Sequence, residues 1–259
     1  MKTNRLDNKK ILELINSKKI DKIFIDIDYT VFDFDIGNKR GNKKLNDYYP
    51  KLGDEVGKIF DLILRGKRSL SNLTKEELIE YKKNIKEISD YQNKVVIEYG
   101  VKYWSRETMI MIASKKIGLT LKADDILKLR KIYWKAVSDV WEIYDDAIPF
   151  LNKIKKEKIK IIWVTGSDSI LKIKQVGEKI ELDYDPEYSS KEKRKRMEKL
   201  LKEYPGEFIT GDPVDKPAIW NKLFKNINIK NTLVVGDSYE TDLKQAEGLG
   251  IKTVLIKRD

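Results

Sequence analysis

Five short runs of strand-forming residues recur along this chain: Ile23-Phe24-Ile25, Ile159 to Val164, Glu207 to Thr210, Thr232 to Val235 and Thr253 to Ile256. Most are apolar throughout rather than alternating, which is the pattern of strands buried on both faces. Helical periods separate them. Ile11, Leu12, Leu14 and Ile15 precede the first run, Met197, Leu200, Leu201 and Tyr204 repeat at i, i+3, i+4 and i+7, and Pro217 to Phe224 opens with a proline suited to a first helical turn. Strand and helix in alternation predict a parallel sheet covered by helices on both faces, an α/β, Rossmann-like core.

Residues 36–145 follow a different rule. Thr74-x-x-Glu77 is a capping box, and Leu78, Tyr81, Ile85, Ile88 and Val95 continue from it at helical spacing. Ile126, Leu129, Tyr133, Ala136 and Val140 repeat that spacing, while Trp134, Val137 and Trp141 form a second stripe on the same helix. The spacing predicts a mostly α-helical domain over 36–145, inserted into a core made of 1–35 and 146–259. Residues 178–206 read either as a small second insertion or as a connection between core elements.

Composition narrows the chemistry. The 259 residues include no histidine and no cysteine, so catalysis by an imidazole base, a thiolate or a thiolate-bound zinc is excluded. Carboxylates, hydroxyls, amines and the oxygen-seeking cations that carboxylates hold remain. The formal charge of +11 suggests a polyanion partner only if it is clustered. It is spread along the chain, and the short run Lys191 to Arg196 (KEKRKR) reads as the solvated face of a helix. Abundant lysine, isoleucine and glutamate resemble a thermophile's surface. No apolar run is long enough to span a membrane, and the charged N-terminus lacks a secretory signal's apolar stretch. The expected location is cytoplasmic.

In open parallel sheets, ligands bind beyond the carboxyl ends of the strands. The polar residues there are Asp26-Ile27-Asp28-Tyr29-Thr30, Thr165-Gly166-Ser167, Lys216-Pro217, and Gly236-Asp237-Ser238 with Asp242 five residues beyond Asp237. In this order, DIDYT, VTG, DKP and VVGDSYETD, the set resembles the four motifs of the haloacid dehalogenase-like (HAD) superfamily over residues 21–35 and 146–258. The resemblance implies a phosphatase with a helical cap of the C1 type. Asp26 would be a nucleophile forming an aspartyl-phosphate, and Asp28 the acid that protonates the leaving oxygen and later takes a proton from water.

Two carboxylates beside a phosphate require a cation. The resemblance supplies Mg²⁺, with Asp26, Asp237 and the Asp28 carbonyl as ligands. Asp242 is either a further acidic group of that site or an acid favoured by the first turn of its helix. Thr165 and Gly166 would bind the transferring phosphoryl group, and Lys216 would neutralise it, with Lys222 as the fallback lysine. Tyr29 stands where relatives more often carry glycine, aspartate or asparagine; it either lines the substrate site or packs under the insertion. Asp33 reads as loop structure. Trp104 and Arg106 are possible substrate contacts, although core packing is the commoner fate of such residues.

Asp28 favours phosphate esters over halides, because a halide leaves without a proton. A phosphomutase, a nucleic-acid end phosphatase and a non-catalytic polyanion-binding protein are the alternatives. A capped site favours a small phosphorylated metabolite over nucleic acid or a membrane, in a monomer or homodimer.

Overall fold

The computed structural model describes residues 5–17, 20–68, 73–99, 105–139, 142–211 and 216–257. Its strands are β1 (Lys22–Ile25), β2 (Lys160–Gly166), β3 (Leu171–Val176), β4 (Lys179–Tyr184), β5 (Glu207–Gly211), β6 (Thr232–Gly236) and β7 (Lys252–Leu255). Five form one parallel sheet in the order β5-β2-β1-β6-β7. β1 therefore lies at the centre, and its carboxyl end opens between those of β2 and β6.

The period of two along each strand divides the core. Ile23 and Ile25 of β1, Ile161 and Trp163 of β2, and Leu233 and Val235 of β6 join Ile11, Phe150, Leu151, Met197 and Leu200 on one face. Phe24, Ile162, Val164 and Val234 join Trp220, Phe224, Leu243 and Ala246 on the other. Apolar residues on both sides of each strand are what a sheet sandwiched between helices requires. Trp163 is wholly buried, and its indole N–H donates to the Tyr204 carbonyl at 3.2 Å.

The chain divides into two compact units, one comprising Met1–Phe34, Trp141–Asp168 and Ser190–Asp259, the other Asp35–Val140 and Ser169–Ser189. The first contains the sheet. The second contains the helices Leu52–Arg68, Lys75–Tyr99, Arg106–Lys116 and Ala123–Ser138. The expected capping box is formed: the Thr74 N–H donates to Glu77 Oε2 at 2.8 Å, and the Glu77 N–H to Thr74 Oγ1 at 3.2 Å. Tyr133, Trp134 and Val137 are all buried, so both stripes of their helix are covered. Trp104, Val140 and Trp141 lie outside the described residues.

The expected assignment of 146–259 wholly to the core needs correction at 169–189. There, β3 and β4 form an antiparallel hairpin that belongs with the helical unit. Leu171, Ile173, Ile180 and Leu182 alternate with charged neighbours, and Gly177 turns the chain at φ 61°, a conformation for which glycine is favoured at the first turn position. The alternation is visible in the sequence, but a search for continuously apolar runs passes over it. Arg130 holds the hairpin. Its guanidinium donates to the Leu171 carbonyl at 2.6 Å, to Glu107 Oε1 at 3.0 Å and to the Tyr188 hydroxyl at 3.4 Å.

Glu107 is completely buried, and burial raises its carboxyl above the ordinary value of 4.5 despite the opposing Arg130 charge. The native state therefore holds this proton more tightly than the unfolded chain. The Glu107 contribution to stability falls as pH rises from 4.5 through the native value. Arg130→Met, which strands the carboxylate, is expected to destabilise the protein by about 3–5 kcal/mol at neutral pH. Near pH 4.5 the deficit shrinks because a protonated Glu107 needs no cation. Urea denaturation at both pH values checks it; a deficit independent of pH would contradict this account. Among the described residues no helix is long and apolar enough to cross a membrane.

Candidate active site

The site is assembled within the sheet-containing unit, at the carboxyl ends of its three central strands. The Asp26 N–H donates to the Val235 carbonyl at 2.9 Å, extending the β1–β6 pairing by one residue and fixing the Asp26 backbone. A tight turn follows, in which the N–H groups of Val31 and Phe32 both donate to the Ile27 carbonyl at 3.0 Å. Thr30 Oγ1 reaches back to Asp26 Oδ2 at 2.9 Å.

Tyr29 occupies that turn at φ 62°. This is the left-handed region that glycine, asparagine and aspartate enter most readily, so a tyrosine here is an unusual choice for the backbone. Its ring is buried and tilts against Phe34 at 5.9 Å between centroids. Of the two readings of Tyr29, these contacts are the ones that packing requires. Asp33, as expected, serves the loop: its N–H donates to the Glu142 carbonyl at 3.1 Å.

Lys216 begins the helix Lys216–Leu223, beyond β5. Its ammonium lies 2.6 Å from Asp26 Oδ1 and 2.6 Å from Asp242 Oδ1. Burial alone would depress this lysine, yet the Asp242 and Asp26 carboxylates outweigh it and hold the ammonium well above its ordinary range. Asp26 is shifted upward too. Burial dominates, Lys216 opposes it, and the charges of Asp242, Asp237 and Asp28 add to it. Lys222, the fallback, is exposed.

Asp26, Asp237 and Asp242 each offer a carboxylate oxygen, and the three oxygens lie within 4.8 Å of one another. Asp242 is fully buried. It accepts the Ser238 N–H at 3.1 Å, so the short turn after β6 turns its side chain toward Lys216. Three carboxylates this close to a single ammonium carry a net negative charge, and their hard oxygens fit Mg²⁺ better than a softer metal. The Asp28 carboxylate is not one of the three, which leaves only its main-chain carbonyl for the expected part in metal binding.

Thr165, the penultimate residue of β2, is fully buried, but its hydroxyl donates to Asp28 Oδ2 at 3.1 Å. The phosphoryl group expected on Thr165 would thus have to share or displace that bond. Gly166 pairs with Gly211 of β5. Arg106, expected either as a substrate contact or as core, is buried in the helical unit with its guanidinium 4.3 Å from the Tyr133 ring centroid and 4.7 Å from that of Phe60.

The residue that sequence reasoning missed is Lys193. It lies within the helix Pro186–Arg196, in the charged run expected to be solvated. Lys191, Arg194 and Lys195 are indeed exposed. Lys193 is wholly buried, with its ammonium 2.7 Å from Asp28 Oδ2 and 3.5 Å from Asp168 Oδ1. Arg196, one turn on, also pairs with Asp168. The signal was available: Lys193 lies four residues before Met197, on the buried stripe continued back by one turn.

A family model described as a haloacid dehalogenase-like hydrolase matches residues 20–250. No curated protein matches the chain. Among solved structures, the chain is similar to the HAD-hydrolase YfnB from Bacillus subtilis bound to magnesium, at 16% identity and TM-score 0.50, covering 91% of this chain and 88% of that one. It is similar to a protein provisionally described as a β-phosphoglucomutase from Thermotoga maritima, at 14% identity and TM-score 0.51, covering 93% and 88%. A third is a haloacid dehalogenase-like family hydrolase from Xanthomonas campestris, at 12% identity and TM-score 0.51, covering 93% and 83%. At these identities the likeness is one of fold.

Proposed function

Because the chain belongs to the haloacid dehalogenase-like hydrolases, we propose that it is a magnesium-dependent phosphatase acting on a small phosphate monoester through an aspartyl-phosphate on Asp26. The observation that carries this reading is Asp28, a second carboxylate two residues beyond the nucleophile. Its Oδ2 accepts hydrogen bonds from Lys193 and Thr165, while Oδ1 has no hydrogen-bond partner among the described residues. Hydrolysis of an ester needs such an acid, whereas expulsion of a halide does not.

Asp26 attacks phosphorus, and Asp28 gives its proton to the departing alkoxide as the P–O bond breaks. Water then attacks the aspartyl-phosphate, Asp28 takes a proton from it, and inorganic phosphate leaves. Lys216 neutralises negative charge on Asp26 and on the phosphoryl oxygens throughout. Asp26, Asp237, Asp242 and the Asp28 carbonyl would hold Mg²⁺, which when bound supplies the remaining positive charge.

The test is release of phosphate from p-nitrophenyl phosphate, compared with release of chloride from 2-chloropropionate. Phosphate release that stops on chelation and returns with Mg²⁺ is expected. Chloride release, or phosphate release indifferent to chelation, would contradict the reading.

Gly236 gives the metal assignment its own prediction. A Cβ there would stand 2.6 Å from Asp242 Cβ and 2.7 Å from its Oδ2, so Gly236→Ala must displace that carboxylate. The Mg²⁺ concentration that half-saturates the rise in Tm should increase by about 10- to 100-fold. An unchanged Mg²⁺ titration would remove Asp242 from the metal site.

A further inference from the structure

We propose that Lys193 is a positioning residue for Asp28, fixing which of its two carboxyl oxygens carries the transferable proton. The proposal rests on the phosphatase reading above and adds to it a residue that none of the four motifs contains. The chain leaves the sheet-containing unit after Asp168 and returns at Ser190. Residues at both ends of that excursion converge on Asp28. Lys193 bridges Asp28 and Asp168, and Arg196 pairs with Asp168 as well.

A buried ammonium needs an anionic partner to offset its lost hydration, and Lys193, with no exposed surface, keeps one in Asp168 at 3.5 Å while Asp28 Oδ2 accepts its hydrogen bond whether or not Oδ1 is protonated. It is therefore held in place, unlike a surface lysine. Lys193 Nζ and Thr165 Oγ1 both direct hydrogens at Oδ2 of Asp28, at 2.7 and 3.1 Å. Two donors on one oxygen fix the rotation of the carboxyl group and leave Oδ1 to bear the proton. A general acid fixed in this way does not have to search for its orientation in each turnover.

The leaving group separates positioning from a general structural role. p-Nitrophenolate departs with little need of a proton, whereas the alkoxide of glycerol 2-phosphate depends on one. Lys193→Met is expected to lower kcat on glycerol 2-phosphate by about 10² more than on p-nitrophenyl phosphate. Asp28→Asn should show the same asymmetry, and Lys193→Arg should recover part of it. Equal losses on the two esters with the fold intact, or no loss on either, would overturn the proposal. Should Lys193→Met fail to fold, Asp168→Asn loosens Lys193 without removing its charge and carries the same comparison.

If the wild-type protein hydrolyses neither ester, the phosphatase reading falls. Crystal structures of the wild type and Lys193→Met then decide the positioning claim: an Asp28 carboxyl rotated away from Thr165 in the variant supports it, and an unmoved one overturns it.

Discussion

Asp26→Asn is expected to lower turnover of p-nitrophenyl phosphate at least about 10⁴-fold while leaving Tm equal to or above that of the wild type. The first part follows from the loss of the nucleophile. The second follows from electrostatics. Burial and three neighbouring carboxylates push the Asp26 proton affinity up, so above the ordinary value of 3.8 the ionised side chain costs the native state stability. Asparagine has the same shape and cannot ionise, and Lys216 keeps Asp242 as its partner at 2.6 Å. Activity should fall toward acid as Asp26 is protonated, and added Mg²⁺ should move that fall to lower pH because a cation favours the anion. A variant both inactive and much less stable would indicate a structural aspartate.

Lys216→Met should show the converse. It removes the ammonium that contacts Asp26 and Asp242 and leaves two buried carboxylates facing one another. A loss of about 3–5 kcal/mol at neutral pH is expected, with a rate loss of about 10² to 10³. Because the metal and the lysine answer the same negative charge, Mg²⁺ should raise the Tm of Lys216→Met more than that of the wild type. An equal rise in both would mean that the metal binds away from Lys216.

Asp26 stands at a position that the strand pattern makes legible for a physical reason, whereas Lys216 is singled out by the helix-opening Pro217 and by the family resemblance. β1, β2 and β6 are buried on both faces, so their sequences are apolar without interruption, and the first polar residue after each marks the open end of the sheet. Asp26 and Asp237 stand in that place, and Thr165 lies one residue before the end of its strand beside them. Two kinds of feature were not legible. The β3–β4 hairpin obeys a different period, so runs of buried strand do not reveal it. Lys193 is hidden by its neighbours: three exposed cations surround one that is buried. Composition averages over the faces of a helix, whereas burial distinguishes them. Tyr29 shows a third limit, because its left-handed backbone at φ 62° is set by the geometry of the turn and follows no period in the sequence.

The measurement that bears most directly on Asp26 as nucleophile is acid quenching during steady turnover with Mg²⁺ and excess substrate, followed by mass spectrometry of the peptide that contains Asp26. The account predicts one added phosphoryl group on Asp26, absent from Asp26→Asn and lost on mild alkaline treatment, as an acyl phosphate should be. Rapid turnover with no phosphoryl group on that peptide, or with the group on another residue, would contradict it.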